Sequence, residues 1–228
     1  MTEYRFETRE QASAKAAEHI LAALKHRIDA HQSAAMVVSG GTTPTRCFAT
    51  LAATELNWPQ VQVFLSDERW VAPEHPDSNE KLVRDSLLTG AAKNAKFRAV
   101  YRQGIPVEQG CRELEEDIRL LPSPFACVLL GMGKDGHFAS LFPDFSNLTE
   151  SLDPEGEQLC VPVHTAASPH PRVSLTLSAL CRSDEIILLI FGEEKWQTLE
   201  KARLADDAYP VSRLLLQKRT PVHIFWAA

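Results

Sequence analysis

Phe125-Ala126-Cys127-Val128-Leu129-Leu130 is an unbroken apolar run that passes directly into Gly131-Met132-Gly133-Lys134-Asp135-Gly136-His137. The run has the length and composition of a buried strand, and Pro122 and Pro124 frame its entry. Three of the chain's ten glycines then fall within six residues, with an acid and a histidine among and just after them. Such a turn can bring backbone close to a ligand and hold an imidazole at a strand's end.

Two upstream segments repeat the arrangement. Ala34–Val38 reads as a short apolar strand ending in Ser39-Gly40-Gly41-Thr42-Thr43-Pro44, and Val61–Leu65 as a strand ending in Ser66-Asp67-Glu68-Arg69. Between and beyond them lie helices. Ala16, Ile20, Leu21, Leu24 and Ile28 keep helical spacing within residues 9–31. Thr43 is an expected N-cap with Pro44 opening a helix to about Thr54, and Asp77 with Glu80 an expected capping box for a helix over Lys81–Leu88. Val107–Leu121, Glu193–Ala205 and 211–217 are further expected helices. Phe97–Tyr101, Leu159–Val163, Arg172–Leu177, Glu185–Phe191 and Val222–Trp226 are further expected strands, with 138–157 irregular. Alternating strand and helix predicts an α/β fold: an open, mostly parallel, Rossmann-like sheet with helices on both faces. One domain spanning residues 1–228 is expected.

Composition narrows the partners. A net charge of −6 argues against a nucleic-acid partner, which would favour a basic face, but leaves room for a local cluster that holds an anion. No stretch approaches the ~20 apolar residues of a membrane span, and Met1–Glu7 lacks the apolar run of a signal peptide. Five scattered cysteines without CxxC spacing read as reduced, mostly buried thiols of a cytoplasmic protein.

In an open parallel sheet the carboxyl ends of the strands form the binding crevice, so the three loops should converge. Pro44 marks a helix start, where backbone amides lack helical partners and the dipole adds positive potential. With Gly40 and Gly41 beside the hydroxyls of Ser39, Thr42 and Thr43, this is a phosphate-sized site. It is neither a Walker loop nor a GxGxxG turn, which points to a small phosphorylated ligand. Asp67 and Arg69 are candidates in the second loop; Arg69 offers a cation in forked geometry to a phosphate or an oxyanion. A lone histidine is usually structural or exposed. His137 differs from the other seven in being flanked by glycines and an acid at a strand's end, where Asp135 could orient it. Arg172 and Lys195 are downstream cation candidates, Lys195 in the first turn of a helix, where a cation is mildly unfavourable. No metal-ligand spacing and no GxSxG elbow occurs.

These segments, together with Trp70-Val71, Asp77-Ser78-Asn79, Gly131 to Pro143, Pro171 to Thr176 and Gly192 to Lys195, resemble the 6-phosphogluconolactonase family nearly end to end. The resemblance implies hydrolysis of the δ-lactone of 6-phosphogluconate, with no cofactor and no metal. By carry-over, His137 is the general base, Asp135 its support, and Arg69 faces the developing oxyanion or another substrate oxygen. Asp67 joins them among the catalytic candidates. Ser39, Gly40, Gly41, Thr42, Thr43, Arg172 and Lys195 hold the phosphate. The implied partner is a small sugar-phosphate lactone, with no nucleic acid or membrane, and the chain a monomer or weak homo-oligomer. Two rivals remain. Glucosamine-6-phosphate deaminases share the loops but continue after the histidine into a segment bearing a glutamate, where this chain has Ser140-Leu141-Phe142-Pro143. A non-catalytic sugar-phosphate sensor would carry a basic DNA-binding segment, and none precedes residue 34.

Overall fold

A computed structural model describes residues 1–204 and 208–228. In chain order the elements begin with β1 (Thr2–Phe6), α1 (Arg9–His31), β2 (Ala34–Val38), α2 (Thr45–Ala53), β3 (Val61–Leu65) and β4 (Asp67–Arg69). There follow α3 (Asn79–Ser86), β5 (Lys96–Phe97), α4 (Val107–Arg119), β6 (Cys127–Leu130) and α5 (Leu148–Ser151). The chain closes with β7 (Cys160–Val163), β8 (Arg172–Leu175), α6 (Leu177–Leu180), β9 (Ile186–Phe191), α7 (Glu193–Ala202), α8 (Val211–Leu216) and β10 (Val222–Ala227).

Seven strands form one parallel sheet in the order β1-β10-β9-β6-β2-β3-β5. Every residue of β2 and β6 is buried, as expected of central strands covered on both faces. α1 packs across β1, β2, β9 and β10, burying Ala16, Ile20, Leu24 and Ile28 on the stripe that the helical spacing predicts. Thr8 caps this helix in a full capping box with Gln11.

The mostly parallel α/β architecture is as expected, but three strands leave it. β4, β8 and β7 form a separate antiparallel sheet in that order. Asp67-Glu68-Arg69, expected as a loop, is therefore a strand, and 159–163 and 172–177 are not members of the main sheet. The strand expected to reach Leu177 ends at Leu175, because the Thr176 hydroxyl accepts the Ala179 amide and starts α6. β1 was not foreseen; its polar sequence suits a sheet edge with one neighbour. The strand expected over Phe97–Tyr101 reduces to β5. The expected end of a helix at Ala205 lies outside the described residues. All five cysteines are buried free thiols, and among the described residues no helix is long and apolar enough to cross a membrane.

Candidate active site

The strand order sets the position of the site. From β2 the chain continues to β3 on one side, while β6, on the other side of β2, is followed by β9. This reversal opens a crevice at the carboxyl ends of β2 and β6. The Ser39 amide donates to the Leu129 carbonyl at 3.0 Å, and the Gly131 amide donates to the Ser39 hydroxyl at 3.2 Å, so the two glycine loops are tied together. A cleft of about 260 Å³ lies over them. It is lined by Ser39, Gly40, Gly41, Thr42, Thr43, Asp67, Arg69, His137, Arg172 and Lys195, which is the expected set apart from Asp135.

α2 begins at Thr45, one residue later than Pro44, and has no side-chain cap; the expected Thr43 cap is absent. The amides of Gly40, Gly41, Thr42 and Thr43 donate to no protein acceptor among the described residues. An uncapped helix start with free amides favours an anion. Gly41 is glycine for its φ of +85°. Gly40 is glycine for another reason, since a Cβ there would stand 1.9 Å from Asn79 Oδ1.

The second sheet brings cations to the opposite wall. Arg69 of β4 and Arg172 of β8 are direct cross-strand partners. Like charges in that position destabilise a strand pair, and Asp67 Oδ2, 3.8 Å from Arg172 Nη1, offsets part of the repulsion. Arg69 donates to Asn79 Oδ1, and Asn79 Nδ2 donates to the Asp67 carbonyl at 2.8 Å. Arg172 donates to the hydroxyls of Ser168 (2.9 Å) and Ser140 (3.2 Å). Burial lowers the Arg172 pKa from its ordinary value, with Asp67 opposing and Arg69 adding to the shift. Asp67 accepts from the Ser66 hydroxyl through Oδ1 at 2.8 Å and from the Ser140 hydroxyl through Oδ2 at 2.6 Å. Both of its oxygens are thereby committed to holding the wall, not to exchanging a proton. Lys195 stands in the first turn of α7 and pairs with no carboxylate among the described residues, while its neighbour Glu194 pairs with Lys134 at 2.6 Å.

Behind this wall sits Glu68, a buried carboxylate. It accepts from the amides of Arg69 (2.7 Å), Asn79 (2.8 Å) and Glu80 (2.7 Å) and from the Ser78 hydroxyl (3.1 Å). The expected capping box from Asp77 and Glu80 is thus replaced. Ser78 is the N-cap of α3, and the carboxylate at this helix start comes from β4. Burial raises the Glu68 pKa against the lowering effect of those hydrogen bonds.

His137 and Asp135 close the site. Nδ1 of His137 lies 2.6 Å from Asp135 Oδ1, which also accepts the His137 amide at 3.2 Å. The turn is drawn tight by Gly133 N–H to His137 carbonyl at 2.8 Å. The imidazole packs on Phe142 at 4.2 Å between centroids, and Phe142 also carries the Arg172 guanidinium 5.3 Å from its centroid. Ala139 is held at a φ of +49° beside the cleft, a conformation that costs an alanine on the order of 1 kcal/mol.

A sequence model of the family described as glucosamine-6-phosphate isomerases/6-phosphogluconolactonase matches residues 7–226. The chain belongs to this family. It is 39% identical to the 6-phosphogluconolactonase of Mesorhizobium japonicum, over 97% of this chain and 93% of that one. It is also 39% identical to the 6-phosphogluconolactonase of Caulobacter vibrioides, over 97% and 95%. The crystal structure of a 6-phosphogluconolactonase from Shewanella baltica superposes with a TM-score of 0.95 at 36% identity, covering 100% of this chain and 98% of that one.

Within this member of the isomerase/lactonase family, the sequence reading gathered the residues that line the cleft and missed those that fix them. Glu68, Asn79, Ser140 and Phe142 hold Arg69, Arg172 and His137 in place. The polar members of this set find partners about ten to seventy positions away, and such pairs cannot be matched from one sequence. Gly133 is the glycine most tightly bound to the chemistry. A Cβ there would lie 2.2 Å from His137 Nδ1 and 2.5 Å from Asp135 Oδ1. Gly133→Ala should therefore push the pair apart and lower kcat about 10²-fold with little change in melting temperature. A kcat within about threefold of the parent would show that the His137–Asp135 contact is dispensable.

Proposed function

We propose that this chain is a 6-phosphogluconolactonase, one domain over residues 1–228 acting in the cytoplasm on 6-phospho-D-glucono-1,5-lactone. The observation that carries the reading is the division of charge in the cleft. Among the described residues the one lining carboxylate, Asp67, has both oxygens committed, which leaves the Asp135-supported imidazole of His137 as the base. A deaminase needs a further carboxylate for proton transfer, and Ser140, buried on Asp67, stands in the segment where that family has it.

In the proposed reaction Asp135 holds a proton on His137 Nδ1, leaving Nε2 to accept one from water. The water oxygen bonds to the lactone carbonyl carbon, and the carbonyl electrons move to its oxygen. Arg69 faces that developing charge or a neighbouring substrate oxygen. Collapse breaks the bond to the ring oxygen, which takes the proton from the imidazolium and leaves the open acid. The Ser39–Thr43 loop, Arg172 and Lys195 hold the 6-phosphate. A δ-lactone is an activated ester, so positioning, one base and charge stabilisation suffice without a covalent nucleophile. The direct test is turnover of freshly generated lactone, with spontaneous hydrolysis subtracted, beside release of ammonia from glucosamine 6-phosphate. Lactone turnover alone is expected; ammonia release would overturn the assignment.

Lys195 gives a second check. Lys195→Ala should raise KM about 10–100-fold with kcat near the parent value, because a phosphate contact is shared by ground and transition states. Burial, with Lys134 and Arg9 adding and Glu194 opposing, holds the Lys195 pKa below that of a free lysine. A lowered pKa means the proton leaves at lower pH, so binding of 6-phosphogluconate should weaken on the alkaline side earlier than for an ordinary lysine. Lys195→Arg should move that limb upward. Identical limbs, measured by calorimetry, would remove Lys195 from the phosphate site.

A further inference from the structure

The amino ends of the same parallel strands, opposite the cleft, carry a second cluster of side chains. Glu185 immediately precedes β9, His223 is the second residue of β10, and His19 lies on α1. All three are half-buried, and their ligand atoms lie within 4.8 Å of one another. His19 Nε2 is 2.8 Å, and His223 Nε2 3.6 Å, from the same oxygen, Glu185 Oε2. The two imidazoles are 4.8 Å apart between centroids, and the Tyr4 ring packs against both.

We propose that His19, Glu185 and His223 form a binding site for a divalent transition metal of the zinc class, with a fourth position left to water. Tetrahedral bonds of about 2.0–2.2 Å set ligand atoms about 3.3 Å apart, so shifts on the order of an ångström complete the site. Two imidazole nitrogens and one carboxylate oxygen suit zinc or cobalt and not a hard cation. The second histidine cluster, His75, Asp77 and His170, is less prepared: Asp77 is exposed, and His75 Nδ1 already accepts the Asp77 amide at 3.0 Å. Because the site ties α1 to the entries of β9 and β10, the metal acts on stability and not on turnover.

The test is titration of chelator-stripped protein with Co²⁺ and Zn²⁺. One equivalent of Co²⁺ should bind with the visible absorption of a four-coordinate ion. Zn²⁺ at about 100 times its Kd should raise the melting temperature by about 5 °C. His19→Gln and Glu185→Gln, both mild at half-exposed or surface-connected positions, should each weaken binding about tenfold or more, while His170→Gln leaves it unchanged. Lactone turnover should be the same with and without Zn²⁺. Absence of a saturable single equivalent, or binding that survives both His19→Gln and Glu185→Gln, or binding lost in His170→Gln, would each overturn the proposal.

Discussion

His137→Ala is expected to lower kcat by about 10²–10⁴-fold while leaving the melting temperature close to that of the parent. The side chain is 28% exposed and sits at the mouth of the turn, so its loss removes little packing beyond the Phe142 contact. Its chemical loss is large because, among the described residues, no other group lining the cleft is free to take a water proton. Asp67 is committed through both oxygens, and the remaining ionisable lining groups are the cations Arg69, Arg172 and Lys195. Asp135→Asn isolates the support. The amide oxygen can still accept from Nδ1 but carries no charge to stabilise the imidazolium, so kcat should fall by a smaller factor, with KM unchanged. Near-parent turnover in a folded His137→Ala protein would dismiss the histidine as base.

The sequence was most legible where local pattern and function coincide. β2, β3 and β6 are short apolar runs ended by glycine or charged residues, and each loop that follows them reaches the cleft. Periodicity also found α1, because its buried stripe repeats at helical spacing over its whole length. The second sheet was illegible for a physical reason. β4 is three residues long and charged, and its strand character exists only because β8 pairs with it from about a hundred positions away. The pairing of Arg69 with Arg172 follows from that register and could not be read from either segment alone. The caps of α2 and α3 were misread for related reasons. Proline with threonine at one, and aspartate with glutamate at the other, satisfy the local capping rules. In the folded chain one helix start is left uncapped over the cleft, and the other is taken by Glu68. Both misreadings fall at the site, where local preference yields to function.

Glu68→Ala is expected to be the most damaging single change outside the cleft lining. The carboxylate serves three backbone amides and one hydroxyl at the joint between β4 and α3, all in a buried position. Truncation leaves those donors without a partner and opens a void, a combined loss of about 3–5 kcal/mol and about 10 °C in melting temperature. Glu68→Gln fills the void but turns an amide NH₂ toward groups that themselves donate, so it should recover only part of that stability. The functional consequence follows from the same bonds. Asn79 is held by Glu68 through its amide and in turn holds Arg69, so loosening the joint frees a guanidinium that lines the cleft. Below its lowered melting temperature, Glu68→Gln should therefore show reduced kcat/KM with Lys195-dependent phosphate binding intact. A melting temperature within about 2 °C of the parent for Glu68→Ala would mean that water replaces the carboxylate at the joint, and the account of how Arg69 is positioned would fail with it.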